Sequence, residues 1–447
     1  MKDLVFTGMK NNDYSVYGRN NYTEKDELQD KLKKIYNAKY SYITSSGMNA
    51  ISAIFHIYIR NKNSVNIVFS DELYEDTIPS LYYIKCGLLS ANGLEKSIVD
   101  SINVSDSDNI IKLFKEKYDN KEVLLFIESC TNPTSKIFDF NIIKILKKIT
   151  NNKLMVVVDN TWLTGCSFNP FNYDVDIVVD SLTKYYSAGK TICGGIITNS
   201  EMIINNVDKF MNEYGIHVSP LTCERVSLMI DSIEERISFS SYNTNKIIDF
   251  LKTINDVKIY HPSIETHPEY KFAKDNFKYY PSVIYIKFKK TNEEFMKWLL
   301  NDAKNIKYKT SYGSKENKID QDPGIDENGN FCCRIAVSYK TDSYKDAIND
   351  LQILFSNNST NELIISEGIK NKEDFYDEIS RLLKLEHWFG RNLDAFADVL
   401  RGGCGEVDPN GKVFVWKGHK SARNALGSKN FETIVRIFKE ENEIRLE

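Results

Sequence analysis

Leu154-Met155-Val156-Val157-Val158-Asp159-Asn160-Thr161-Trp162 and Val175-Asp176-Ile177-Val178-Val179-Asp180-Ser181-Leu182-Thr183-Lys184 are built alike, each an apolar run that ends in a polar cluster. Near-continuous Val/Ile/Leu runs of this length read as strands buried on both faces of a parallel sheet. Working outward, similar runs at Val65–Ser70, Val123–Glu128 and Ile192–Thr198 predict further strands. The helical spacing of Leu28, Leu32, Ile35 and Tyr36, and the segment Ile142–Ile149, predict helices among them, and another helix should begin just after Ser45-Ser46-Gly47. The alternation predicts an α/β fold with a large parallel-sheet domain over residues 1–240. A smaller α+β subdomain is expected over 241–355. The polar run Ser356-Asn357-Asn358-Ser359-Thr360-Asn361 reads as a linker, followed by a separate domain over 362–447.

In an open α/β sheet, ligands bind beyond the carboxyl ends of the strands, so the two polar clusters open onto one crevice. A carboxylate and a lysine at adjacent strand ends suit pyridoxal 5'-phosphate. Lys184 would form its Schiff base, Asp159 would keep the pyridine nitrogen protonated, and Ser181 and Thr183 would donate to the phosphate. A surface salt bridge beside a Ser/Thr-rich turn would use the same residue types. Ser46-Gly47-Met48 at a helix start offers backbone N–H groups as a phosphate seat, with Gly47 allowing close approach. The same turn also serves as an ordinary N-cap. Tyr74 follows a strand and is placed to stack on a cofactor ring or to cover a core edge.

Composition narrows the rest. A net charge of -4 over 447 residues offers no basic field for nucleic acid. The 8 cysteines form no C-x-x-C pair and read as reduced, and the 6 histidines form no metal motif, so no metal is expected. Residues 1–13 lack an apolar signal region, and no run of about 18 apolar residues occurs. A cytoplasmic protein that does not use a membrane is expected.

Taken together, residues 14–355 resemble the Cys/Met-metabolism pyridoxal-phosphate enzymes: cystathionine γ-synthase, the cystathionine β- and γ-lyases and their relatives. The resemblance is carried by Tyr17-Gly18-Arg19, Thr44-Ser45-Ser46-Gly47-Met48-Asn49-Ala50 and Glu128-Ser129-Cys130-Thr131-Asn132-Pro133-Thr134. Asp159-Asn160-Thr161-Trp162, Ser181-Leu182-Thr183-Lys184-Tyr185, Tyr260-His261-Pro262 with His267-Pro268, and Arg334-Ile335-Ala336-Val337 continue it in order.

The resemblance implies fold type I, the aspartate-aminotransferase-like architecture. It implies that Lys184 carries the cofactor and moves the α-proton, that Asp159 meets the pyridinium, and that Tyr74 stacks on the ring and assists catalysis. Asn132 would lie near the ring hydroxyl, and Ser46 would precede the donors Gly47 and Met48. Tyr17 and Arg19 would reach the phosphate of a neighbouring subunit in a homodimer or homotetramer, and Arg334 would bind the α-carboxylate of an amino-acid substrate. The implied reaction is β/γ-elimination or γ-replacement at a C–S bond, and the sequence leaves elimination and replacement both open. Two segments depart from the family pattern. Ser311-Tyr312-Gly313-Ser314-Lys315-Glu316 is followed by Asn317 where a serine is usual near the substrate carboxylate, and Ser187-Ala188-Gly189-Lys190-Thr191 replaces the usual loop after the lysine.

The run from His387 to Asp398 resembles barstar, the inhibitor of barnase-type ribonucleases, and the similarity extends over 362–447. Asp394 and Asp398 share one helical face and match the carboxylates that enter a basic nuclease cleft. Over 362–447 there are 14 Lys+Arg and 16 Asp+Glu, a weak field for steering onto a nuclease. Docking to another protein partner is therefore the expected role. An alternative makes the whole chain an interaction or nuclease-inhibitor protein with the cofactor domain as scaffold, but packing alone does not require the identities of Lys184, Asp159, Tyr74 and Arg334.

Overall fold

The computed structural model describes residues 22–83 apart from 61 and 63, and residues 98–356, 362–385, 389–402, 405, 407–410 and 412–447. Tyr17, Arg19, residues 357–361 of the expected linker, and His387 and Trp388 lie outside the described residues. The chain divides into two compact units, one running to Leu351 and the other from Gln352.

In the first unit, the described strands β1 (Tyr40–Thr44), β2 (Asn66–Ser70), β3 (Ile98–Ile102), β4 (Val123–Glu128), β5 (Leu154–Asp159), β6 (Ile177–Asp180) and β7 (Gly194–Thr198) form one sheet in the order β1-β7-β6-β5-β4-β2-β3. The middle is parallel, as the apolar runs predicted. β7 runs antiparallel to both β6 and β1, so the sheet as a whole is mixed. Alternation along β4 shows why the run is apolar throughout. Val123, Leu125 and Ile127 enter one core, Leu124 and Phe126 the core on the opposite face, and all five are buried. Each such side chain contributes about 1.5–3 kcal/mol.

Helix α1 (Thr23–Tyr36) buries Leu28, Leu32 and Tyr36 on one stripe. Helix α2 (Gly47–Ile59) starts where Ser46 turns extended and its Oγ accepts the Asn49 N–H at 3.0 Å. Its inner face packs Ala50, Ile54 and Phe55 into the second core. The division expected at residue 240 falls inside a continuous helix, Ile233–Leu251. Beyond it, β8 (Lys258–Tyr260), β9 (Val283–Phe288), β10 (Ile306–Tyr308), β11 (Asn317–Ile325) and β12 (Phe331–Ala336) make a second described sheet in the order β10-β11-β12-β9-β8.

The second unit pairs β13 (Glu362–Ile365), β14 (Val413–Trp416) and β15 (Glu443–Leu446), all parallel. The helices Lys372–Leu383, Leu393–Leu400, His419–Leu426 and Ser428–Glu441 complete it. Two helices precede β15, because Gly427 breaks the run at φ 77°. Trp416 lies at the centre, stacked on Phe375 at 5.4 Å between ring centroids, with Phe431 and Phe438 around it.

Candidate active site

The carboxyl ends of β4, β5 and β6 and the start of α2 open on a cavity of about 280 Å³. Ser46, Gly47, Met48, Tyr74, Asn132 and Asp159 line it, and so do Ser181, Thr183, Lys184 and Arg334.

One end is a seat for an anion. A Cβ on Gly47 would lie 2.8 Å from Ser181 Cβ, so only glycine lets the first turn of α2 meet the turn after β6. Gly47 and Met48, at the start of α2, line this end of the cavity, and the first N–H groups of a helix have no intrahelical partner. The Ser181 N–H donates to Thr161 Oγ1 at 2.8 Å. Thr183 lines the cavity as expected of a phosphate donor, and its hydroxyl also donates to the Cys193 carbonyl at 3.1 Å and accepts the Cys193 N–H at 3.2 Å, which ties it to the loop that returns to β7.

Lys184 follows the same turn. Its Nζ donates to Ser311 Oγ at 3.3 Å and lies 5.3 Å from the centre of the Tyr312 ring. Burial holds the amine below its ordinary pKa, the charges of Arg334 and Lys318 push the same way, and Asp159 opposes them. At the end of β5, Asp159 accepts from the Thr161 N–H at 2.9 Å and from the Thr161 hydroxyl at 2.5 Å. Burial raises its pKa, while these two bonds and Lys184 act against the rise. Tyr74 donates its hydroxyl to Asp76 at 2.9 Å. Burial and the neighbouring carboxylates push that phenol up to about 12, so it stays protonated.

Arg334 comes from the second sheet of this unit. Its Nη1 donates to Asn132 Oδ1 at 2.5 Å, and Asp320, its cross-strand partner on β11, accepts from Nη2 at 2.5 Å and from Nε at 3.3 Å. Asp322 lies 3.2 Å from Nε. Asn317 is not brought to the cavity. Its amide donates to the Ser343 carbonyl and accepts the Ser338 N–H, each at 2.9 Å, which corrects its expected contact with the substrate. In the other unit Asp394 and Asp398 are exposed. Asp398 pairs with Arg401 at 3.1 Å, which offsets part of the acidic face, and Arg391 pairs with Glu373 and Asp377 on the helix Lys372–Leu383.

Sequence reasoning missed Glu128 as a cavity residue, together with Tyr312, Trp162 and Asp320. Glu128 was legible in principle, since it ends a strand next to the one that ends in Asp159. Asp320 was not, because it needs the β11/β12 register. Among the described residues no group of three or more His, Cys, Asp or Glu could hold a metal ion, and no helix is long and apolar enough to cross a membrane.

A glycine-lined helix start for a phosphate, a buried carboxylate for a ring nitrogen and a lysine whose amine is eased toward its neutral form fit pyridoxal phosphate. Residues 2–324 match the profile of the Cys/Met metabolism PLP-dependent enzymes, and residues 362–445 match Barstar (barnase inhibitor). The chain is 29% identical over 297 residues to an L-methionine gamma-lyase of Fusobacterium nucleatum subsp. polymorphum, covering 65% of this chain and 71% of that one. It is 30% identical over 255 residues to a cystathionine beta-lyase of Neurospora crassa, covering 57% of this chain and 52% of that one. A solved cystathionine gamma synthase from Xanthomonas oryzae pv. oryzae shares the fold with a TM-score of 0.68 at 19% identity, over 79% of this chain and 90% of its own. The chain therefore belongs to the Cys/Met metabolism family of pyridoxal-phosphate-dependent enzymes, with pyridoxal phosphate as its cofactor and a barstar-like segment following the enzyme.

Proposed function

We propose that this chain removes or exchanges a substituent at the β- or γ-carbon of an amino acid, at a C–S bond. The observation that carries the reading is the convergence of the Lys184 amine, the Asp159 carboxylate and the Asn132-held Arg334 guanidinium on one cavity. The lyases and synthase among its relatives support the same class of reaction. Pyridoxal phosphate, when bound, supplies an electron sink for the charge left at the substrate α-carbon.

The rest is done by the chain's own residues. Gly47 and Met48, with Ser46 ahead of them and Ser181 beside them, hold the phosphate, while Thr183 fixes the loop behind it. Asp159 keeps the pyridine nitrogen charged. Arg334 takes the α-carboxylate on its fork and so fixes which bond at the α-carbon faces Lys184. Lys184 holds the cofactor and, once free, takes the α-proton on Nζ. Its lowered proton affinity leaves more of the amine in the neutral form that can accept a proton. Tyr74 covers the ring and keeps its own proton available for the departing group. By the family resemblance Tyr17 and Arg19 would serve the phosphate of a neighbouring subunit, and the working form would then be a homodimer or homotetramer in the cytoplasm. The barstar-like unit docks a protein partner.

The test is the visible absorption of the protein with its cofactor on adding L-cystathionine, with pyruvate and 2-oxobutanoate assayed together. A band that shifts with release of pyruvate or of 2-oxobutanoate identifies β- or γ-elimination. A band that stays fixed with every thioether amino acid overturns the reading.

A further inference from the structure

Arg334 enters the cavity with its charge already met. Asp320 accepts from two of its nitrogens and Asp322 lies 3.2 Å from Nε. The reason is register: Asp320 stands opposite Arg334 in the antiparallel β11/β12 pair, and the irregularity between Gln321 and Gly324 takes Asp322 out of the ladder, within reach of the same guanidinium. A guanidinium carries five N–H groups in a fixed fork. Asp320 and Asn132 occupy three of them, which leaves one N–H on each terminal nitrogen for a substrate carboxylate.

The charge balance around this wall follows. With an amino acid bound, three carboxylates share one guanidinium. Among the residues lining the cavity, Glu75, Asp159 and Asp320 stand as acids against the bases Lys184 and Arg334, and Glu128 is a fourth carboxyl that burial holds well above its usual range. Glu75 is exposed at the rim beside Tyr74. Of the cations nearby, Lys136 is committed to Glu72 at 3.2 Å, and Lys318 sits on β11 two residues from Asp320. An anionic side-chain group entering past this rim meets like charge, whereas a neutral group does not and a cationic one is attracted.

We infer that Asp320, backed by Asp322 and Glu75, makes this a site for amino acids whose departing side-chain group is neutral or cationic and excludes those whose departing group is anionic. The inference rests on the reading that Arg334 receives the α-carboxylate. Asp320 acts as a specificity residue through Arg334 and through its field, without touching the reacting atoms.

Calorimetric titration of the cofactor-loaded protein with L-norleucine, L-lysine and L-2-aminoadipate tests it, since these differ in side-chain charge at similar length. Norleucine and lysine should bind about tenfold tighter than aminoadipate, and Asp320→Asn and Glu75→Gln should each narrow that gap by about threefold. Should Asp320→Asn fail to fold, the exposed Glu75→Gln carries the same comparison. Equal or tighter binding of aminoadipate by the unaltered protein overturns the inference, as does a gap that neither substitution narrows, or failure of all three to bind. Turnover of S-ethyl, S-carboxymethyl and S-(2-aminoethyl) derivatives of cysteine and homocysteine separates the two proposals. Turnover that ignores side-chain charge sinks the specificity alone. An intact binding order with no turnover of any of them sinks the proposed reaction and leaves the specificity standing.

Discussion

Glu128 and Asp159 stand side by side at the carboxyl ends of β4 and β5, register partners in adjacent parallel strands, and both face the cavity. Glu128 accepts the Tyr74 N–H at 2.6 Å on one oxygen, and the other oxygen is buried with no hydrogen-bond partner among the described residues. Burial first, and Asp159 second, hold the Glu128 carboxyl well above the usual range. Glu128 is therefore the harder of the two to ionise, while Thr161 and Lys184 favour the charged form of Asp159.

Asp159→Asn is expected to lower kcat by about 100-fold or more, because an amide cannot hold a charged ring nitrogen. Glu128→Gln preserves an acceptor for the Tyr74 N–H and should cost less than about tenfold. Steady-state kinetics on both variants check this, and equal losses would place the charge on Glu128 instead.

Lys184→Ala should remove activity by about a thousandfold or more and abolish the visible band of the bound cofactor. Its thermal unfolding should stay close to that of the parent, since among the described residues Nζ makes only a long hydrogen bond to Ser311 at 3.3 Å and a contact with the Tyr312 ring at 5.3 Å. Spectroscopy and calorimetry on the same sample separate lost chemistry from lost fold.

Two glycines should respond differently to alanine. Gly313 sits at φ 78° with a would-be Cβ 2.7 Å from the Lys184 carbonyl carbon, so Gly313→Ala should destabilise the unit by about 2 kcal/mol or more. Gly47 has no such backbone constraint and meets Ser181 Cβ at 2.8 Å. Gly47→Ala should instead weaken cofactor binding by about tenfold, read from the Kd for pyridoxal phosphate.

The pH dependence of stability carries two opposed contributions. Burial pushes Asp180 from 3.8 up to about 7 even though the Tyr186 and Tyr36 hydroxyls donate to it. Its raised pKa gives stability present below the unfolded value and lost as pH rises from 3.8 to about 7. Burial pushes His261 from 6.5 down to about 4, although its bond to the Pro281 carbonyl opposes the fall. That contribution is present above pH 6.5 and lost as pH falls towards 4. Relative to the parent, Asp180→Asn should gain melting temperature as pH rises through this window and His261→Gln should lose it, as followed by scanning calorimetry.

In the barstar-like unit, alanine at both Asp394 and Asp398 should cost less than about 1 kcal/mol, since both are exposed. Trp416→Ala should cost about 3–5 kcal/mol, because Phe375, Phe431 and Phe438 lose the ring they pack on. The calorimetric transition of that unit in the full-length chain reads both.

The sequence by itself determined the strands that carry the cofactor chemistry. Val123–Glu128 and Leu154–Asp159 are local apolar runs closed by polar ends, and such runs can bury both faces only as inner strands. It also determined Lys184 and Asp159, whose chemistry is particular to their residue types and whose places follow from strand ends. What it could not decide depends on contacts between distant segments. The antiparallel setting of β7 followed from pairing with β1, about 150 residues earlier. The absence of Asn317 from the cavity followed from partners at Ser338 and Ser343. The ion pair of Asp320 with Arg334 followed from a register that no spacing along the chain encodes. Side-chain charge and shape are properties of single residues, but hydrogen-bond capacity is consumed by whichever neighbour the fold delivers, and only the tertiary structure names that neighbour.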